Sequence, residues 1–201
     1  MSKVLITGIN GFIGQHLSEL LLQTNHLVTG IDILDNALNE SIKSKINFIK
    51  CNLCDENTLE EILHIVNPEH VYHLAGLLRG GSIKEMYKAN VTCTVNLFNA
   101  IVKMCDPPPK VLISGSSAIY GESNLNIIDE SSKVQPITDY GITKVLQEQI
   151  ALKYKKKEQI PVVITRTFNV IGPGQSTNFA LSRFAKEIIK AKINPKVKYL
   201  S

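Results

Sequence analysis

Apolar residues along this chain fall into short unbroken runs, separated by longer stretches in which they recur every three or four positions. Val4, Leu5 and Ile6 form the first run; Phe12, Ile13, Leu17, Leu20 and Leu21 beyond it keep helical spacing. The alternation continues. "HLVTGID" reads as a second strand ending at Asp32 and "INFIKC" as a third, with a polar loop between them. "DENTLEEILHIV" has acidic residues in its first turn and apolar residues at helical spacing, and "PEHVYHLAG" starts a fourth strand after Pro68. A periodic stretch from about Ser82 to Met104 precedes the breaker "DPPPK", the strand "VLISGS" and a polar loop to Pro136. A helix over "DYGITKVLQEQIALKY", a strand in "PVVITRT" and a helix over "NFALSRFAKEIIKAK" follow. Strands that are apolar throughout are buried on both faces. The pattern therefore predicts an α/β fold, a doubly wound parallel sheet with helices on both faces.

Composition narrows the function classes. A chain of 201 residues can bury one substantial core. Its 22 basic and 18 acidic residues are dispersed and leave a net charge of +4, too little to indicate nucleic acid or a membrane surface as partner. The basic run "KYKKKEQ" from Lys153 reads as a solvated last helical turn. No apolar run approaches the roughly 18 residues a spanning helix needs, and the start of the chain is a strand pattern rather than a leader, so a cytoplasmic location is expected. Cys51 and Cys54 make a C-x-x-C, but no second pair and no ligand-spaced histidines accompany it, so neither a metal nor a redox site is expected there. His70 and His73, three apart on a strand, face opposite sides and suggest no metal either.

The first strand breaks into Gly8, Gly11 and Gly14, spaced G-x-x-G-x-x-G, before the first helix. Glycine permits positive φ in a tight turn and removes the β-carbon where backbone N–H groups must approach phosphates; the helix behind it presents its N-terminus to negative charge. Asp32, at the end of the second strand, has the spacing of a ribose-binding carboxylate. Together they point to a dinucleotide. A carboxylate accepts from ribose hydroxyls and repels a 2′-phosphate, which favours NAD over NADP, although Lys43 and Lys45 keep NADP as an alternative.

"YGITK" places Tyr140 and Lys144 four apart on one face of a helix. A lysine cation beside a phenol is expected to lower its pKa toward working pH and make Tyr140 a proton donor or acceptor for a carbonyl or hydroxyl. The same lysine is placed to hold a nicotinamide ribose. Ser116 and Ser117 follow the strand "VLISG", at the strand end where open α/β sheets gather their chemistry.

In order and spacing, "TGINGFIG", Asp32, "HLAG", "SSAIYG", "YGITK" and "RTFNVIGPG" resemble the extended short-chain dehydrogenase/reductase family of nucleotide-sugar epimerases, dehydratases and reductases, over essentially the whole chain. The resemblance implies a Rossmann-type domain over residues 1–201, with 168–201 the start of a nucleotide-sugar binding region, and roughly a hundred further residues to complete a small substrate domain that is largely absent here. It implies Ser116, Tyr140 and Lys144 as catalytic residues. It places Thr7, Gly8, Gly11, Phe12, Ile13, Gly14, Asp32, Asn52, Leu53, Leu74, Ala75 and Gly76 around the cofactor, with Asn90 supporting the helix behind it and Ser117 and Asn169 toward the substrate. A homodimer through the helices near Met86–Met104 and Tyr140–Tyr154 is implied as well. The chain departs from the family twice. Asn52 stands where aspartate is usual, and an asparagine oxygen still accepts from an adenine amino group. Gly76 stands where alanine is commoner, a change expected to alter little.

Three chemistries remain within the resemblance. Dehydratases of the family carry an acidic residue two after the catalytic hydroxyl, and this chain has Ala118 there, which disfavours dehydration. "FNVIGPGQSTNFALSRFAKEI" is similar to GDP-4-keto-6-deoxy-mannose reductases, so reduction of a GDP- or dTDP-4-keto-6-deoxy sugar is the leading expectation. The alternatives are a nucleotide-sugar 4-epimerase and a nucleotide-binding module without turnover.

Overall fold

The computed structural model describes residues 1–35, 40–123 and 127–193. They fall into two units, Met1–Phe168 and a second from Asn169 onward. In the first unit six strands, β1 (Lys3–Thr7), β2 (Leu27–Asp32), β3 (Asn47–Lys50), β4 (His70–His73), β5 (Lys110–Ser114) and β6 (Val162–Thr165), form one sheet. Every pairing is parallel and the order is β3-β2-β1-β4-β5-β6. This is the Rossmann arrangement, in which the winding reverses between β1 and β4 and opens a crevice at the carboxyl ends of those two strands.

The helices are α1 (Phe12–Gln23), α2 (Glu40–Lys43), α3 (Glu56–Val66), α4 (Ile83–Tyr87), α5 (Cys93–Met104) and α6 (Asp139–Lys157), with α7 (Ala180–Ile193) in the second unit. β1 shows why the sheet is covered on both sides. Leu5 belongs to a core cluster with Leu59 and Leu63 of α3, Leu97 and Ile101 of α5 and Ala151 of α6. Its neighbours Val4 and Ile6 join Ile9, Leu21 and Val28 in a second cluster with Leu17 of α1 packed against it. Successive residues of a strand point to opposite faces, so a strand apolar at every position needs a helical layer on each side.

Local chemistry sets the helix ends. Asp55 caps α3 by accepting from the Thr58 amide, Ser82 and Glu85 form a reciprocal capping box on α4, and Thr138 caps α6 by accepting from Gly141. Asn67 closes α3 in the left-handed conformation. Two details differ from the sequence reading. The polar loop between β2 and β3 contains the short helix α2, where Ile42 is buried, and the loop after β5 opens with a 3-10 turn, Ser117–Tyr120, anchored by buried Ile119 and Tyr120. The periodic stretch from Ser82 to Met104 is helical throughout, but α4 and α5 are joined by a π-helical segment, Lys88–Thr92. Among the described residues no helix is long and apolar enough to cross a membrane.

In the second unit α7 repeats Leu181, Phe184 and Ile188 at helical spacing, and Ser182 donates to Gln175 in the turn ahead of it.

Leu97 has no exposure to solvent, so Leu97→Ala is expected to cost about 2–5 kcal/mol in urea unfolding. Leu20→Ala, on the exposed side of α1, should stay within about 0.5 kcal/mol. Equal losses in the two variants would contradict the packing described.

Candidate functional site

The crevice between the ends of β1 and β4 is a cavity of about 830 Å³, lined among others by Gly8, Asn10, Gly11, Asp32, Asn52, Leu53, Leu74, Ala75 and Gly76. Gly8 makes the turn with φ of +72°, and a β-carbon there would lie 2.7 Å from the Ala75 amide nitrogen. Only glycine fits both the conformation and that approach. Gly14 lets α1 sit down on the turn, since a β-carbon would lie 2.6 Å from the carbonyl oxygens of Gly8 and Ile9. Unlike α3, α4 and α6, helix α1 starts with no side-chain cap and no acidic residue in its first turn. Its first N–H groups are thereby left for an anion.

Asp32 closes the other wall. Its carboxylate accepts from the Asn10 amide at 3.0 Å and the Leu34 amide at 3.4 Å, which fixes its orientation at the end of β2. Asn10 donates its side-chain amide to the Leu34 carbonyl, while its buried Oδ1 has no hydrogen-bond partner. An acceptor in that state beside a carboxylate suits ribose hydroxyls. Cradle, open helix end and paired acceptors thus fit a dinucleotide. Asn10 was not legible from spacing, because the glycine pattern leaves its position unspecified.

Not every expected residue lines this cavity. Thr7, Gly14 and Asn90 are buried behind it, and Phe12 packs edge-on against His16 at 5.0 Å. Ile13 is partly exposed on α1. Asn169 falls in the second unit. Gly76 matters more than the sequence reading allowed. A β-carbon there would stand 2.8 Å from Asn90 Oδ1, too close for that side chain to keep its place, and at an ordinary contact distance of 3.8 Å from Lys144 Nζ.

Ser116, Tyr140 and Lys144 come from the end of β5 and the first turns of α6. Ser116 caps the 3-10 turn by accepting from Ala118 at 3.2 Å, and it hydrogen-bonds Tyr140. The effect on Tyr140 is opposite to expectation. Burial pushes the phenol above its ordinary range, the Ser116 bond opposing, because Lys144 Nζ lies 5.7 Å from the ring centroid and spends its donors elsewhere. Lys144 donates to the Ser114 carbonyl at 2.8 Å and to Gln147 Oε1 at 2.9 Å. Its own pKa is pulled down to about 8 by burial, with Glu148 opposing.

Behind the lysine runs a buried polar chain that the sequence did not suggest. Gln147 donates to Thr94 Oγ1 at 2.8 Å, and Thr94 gives its only hydroxyl proton to the Asn90 carbonyl. Thr94 must then also accept from His73 Nε2, at 2.9 Å, which places the imidazole proton on Nε2. His73 Nδ1 in turn accepts from Thr7 at 2.7 Å, and Thr7 Oγ1 accepts from the Ala75 amide at 3.2 Å. Every link is satisfied. Asn90, in the π-helical segment, grips both the amide and carbonyl of Leu77 and donates to Thr143 on α6. A second tie lies beside it, where Arg166 forks onto both carboxylate oxygens of buried Glu148 at 3.1 and 3.0 Å and donates to Tyr120.

The model of the NAD dependent epimerase/dehydratase family matches residues 4–201. An uncharacterized UDP-glucose epimerase of Bacillus subtilis is 31% identical over 207 residues, covering 94% of this chain and 63% of that protein. UDP-glucuronate 4-epimerase 4 of Arabidopsis thaliana is 30% identical, covering 94% of this chain and 46% of that one. Among solved structures, UDP-glucuronic acid 4-epimerase from Bacillus cereus in complex with NAD superposes with a TM-score of 0.80 at 30% identity, over 93% of this chain and 63% of that one. The chain thus spans less than two thirds of the length of these relatives.

His73 is held neutral, its pKa down at about 3, by burial and secondarily by the Lys144 charge. An unfolded imidazole takes up its proton near pH 6.5. Between about pH 6.5 and 3 the unfolded chain therefore binds a proton that the folded chain refuses, and stability falls on acidification by up to about 1.4 kcal/mol per pH unit. In His73→Gln the loss of stability between pH 7 and pH 5, read from urea unfolding, should be smaller than in the parent by about 2 kcal/mol. An unchanged difference would show that His73 is already protonated when folded.

Proposed function

The chain belongs to the NAD-dependent epimerase/dehydratase family, and from that premise we propose that it holds NAD in the β1/β4 crevice and interconverts nucleotide sugars at C4, as a 4-epimerase of a UDP-sugar. The observation that carries the reading is the meeting, at Gly76, of the dinucleotide cavity with the buried Lys144 that lies on the helix of Tyr140. Gly8, Gly11 and the open end of α1 would face the diphosphate, Asp32 and Asn10 the adenosine ribose, and Asn52 and Leu53 the adenine. NAD when bound supplies the hydride acceptor, and afterwards the donor, for the sugar carbon.

The chain's own residues move the proton. Tyr140 takes it from the C4 hydroxyl and returns it after the sugar has presented its other face, while Ser116 shares a hydrogen bond with the same oxygen. A phenol held above its ordinary range by burial is a poor base until a cation comes close. Lys144, charged at neutral pH and tethered to Ser114 and Gln147 on one side, is the cation available to it. Ser117 and Asn169 are assigned to the substrate, and residues from 168 onward to the start of a nucleotide-sugar binding region. Exposed Ile142, Leu146 and Leu152 on α6 and Val102 on α5 support a homodimer through these two helices.

The relatives named for UDP-glucose and UDP-glucuronate favour 4-epimerisation over the 4-keto-6-deoxy sugar reduction that the sequence brings to the fore. Reduction stays as the second reading because of "GPGQS" after the sixth strand. Dehydration lacks its acid at Ala118.

Tyr140→Phe is expected to lower turnover of UDP-glucose or UDP-glucuronate by about 10²–10⁴-fold while leaving NAD affinity within twofold of the parent by calorimetry. A variant as fast as the parent would remove Tyr140 from the reaction. Asp32→Ala should weaken NAD by about tenfold or more and narrow the preference over NADP; unaltered binding of both would place the adenosine ribose elsewhere.

A further inference from the structure

The C-x-x-C spacing at Cys51 and Cys54 suggests no role, and in the fold the thiol that meets Cys54 comes from elsewhere in the chain. Cys51 is buried in the core cluster with Leu59 and Val71. Cys54 faces a different thiol, with its Sγ 2.7 Å from Sγ of Cys93, the first residue of α5 and 39 positions along the chain. Both sulfur-bearing residues line the wall of the β1/β4 cavity, next to Leu53 and Ala89.

The approach is built in. The loop after β3 is a tight turn in which Asp55 donates to the Asn52 carbonyl and the Cys54 amide to the Asn52 side chain. Asn96, one turn along α5 from Cys93, donates to the Leu53 carbonyl at 3.1 Å and pins this turn against the helix. Two sulfurs on separate elements are thereby held within about 0.7 Å of the disulfide bonding distance of about 2.05 Å, so the second step of a thiol exchange would be intramolecular.

We propose that Cys54 and Cys93 are a dithiol site that oxidises reversibly to an intramolecular disulfide, taking a low-molecular-weight disulfide as co-substrate at the wall of the nucleotide cavity. Cys54, the partly exposed member, attacks one sulfur of the reagent as thiolate; the S–S bond breaks and one reagent thiolate leaves. Cys93 loses its proton and attacks the Cys54 sulfur, and the second reagent thiolate leaves. The two cysteines are oxidised, the reagent disulfide is reduced to two thiols, and those thiols carry the two protons. The order follows from exposure: burial and the neighbouring Cys54 raise the pKa of Cys93, so it reacts only with the sulfur already beside it. Cys51, its pKa pushed up to about 11 by burial and Asp55, stays out of the exchange.

The experiment is oxidation with glutathione disulfide, blocking of the remaining thiols, and non-reducing peptide mapping by mass spectrometry. The expected product is a Cys54–Cys93 cross-link that dithiothreitol reverses. It persists in Cys51→Ser, and in Cys93→Ser it is replaced by a mixed disulfide at Cys54. A Cys51–Cys54 link, or a mixed disulfide that persists at Cys54 of the parent with Cys93 free, would overturn the proposal.

Repeating the oxidation with NAD at 100 times its Kd separates this site from the functional reading, on which only the nucleotide effect rests. If the nucleotide covers Cys54, cross-linking should slow by about 100-fold. Complete cross-linking at the unprotected rate would uphold the thiol pair and count against the placement of NAD.

Discussion

His73 sits at the end of β4 with no exposure to solvent, accepting from Thr7 on β1 through one ring nitrogen and donating to Thr94 on α5 through the other. An imidazole buried this deeply is tolerable only as a neutral ring with both nitrogens satisfied. That requirement fixes its tautomer, which fixes the direction of each neighbouring bond: Thr7 must donate to it, and Thr94 must accept from it and from Gln147. The chain ends at the Lys144 ammonium on one side and at the Ala75 amide, in the cavity wall, on the other. Strand ends and two helices are thus tied by directional bonds, where apolar packing alone would let them slide.

The same chain explains how a lysine can be nearly buried and still carry a charge. Its pKa falls to about 8, yet the Ser114 carbonyl and Gln147 oxygen accept two of its protons, and the Glu148 carboxylate keeps it from falling further. Glu148 is itself held by the Arg166 fork. Breaking one member of such a set leaves a buried group without a partner, which costs more than the bond's net worth. The lysine is therefore held in one place behind the cavity wall at Gly76, where a β-carbon would press on Asn90 Oδ1 at 2.8 Å.

At the opposite end of the cavity the constraint is steric. Gly8 brings β1 against Ala75 closely enough to exclude a β-carbon, and α1 begins without a cap of its own. A helix end left open in a protein that caps α3, α4 and α6 from their own sequences is a place where a ligand completes the hydrogen bonding. On the other flank, Asn96 holds the turn after β3 to α5, where Cys54 meets Cys93. The position of the turn after β3 and the approach of the two thiols thus share one side-chain amide.

The parallel sheet, the glycine turn ahead of α1 and the placing of Tyr140 and Lys144 on one helix are legible along the chain, because periodicity, turn glycines and i, i+4 spacing are local properties. The sequence also carried the family resemblance that the match over residues 4–201 supports. It misled where a property depends on what lies across space. The phenol of Tyr140 is raised rather than lowered, since the lysine four residues away turns its donors toward Ser114 and Gln147. Gly76 looked incidental until Asn90 stood where its methyl would be. The thiol that meets Cys54 is that of Cys93, 39 positions along the chain. These features come from the folded chain alone, because hydrogen-bond direction, burial and sulfur approach are set by which elements the crossovers bring together, and no spacing along the chain records that.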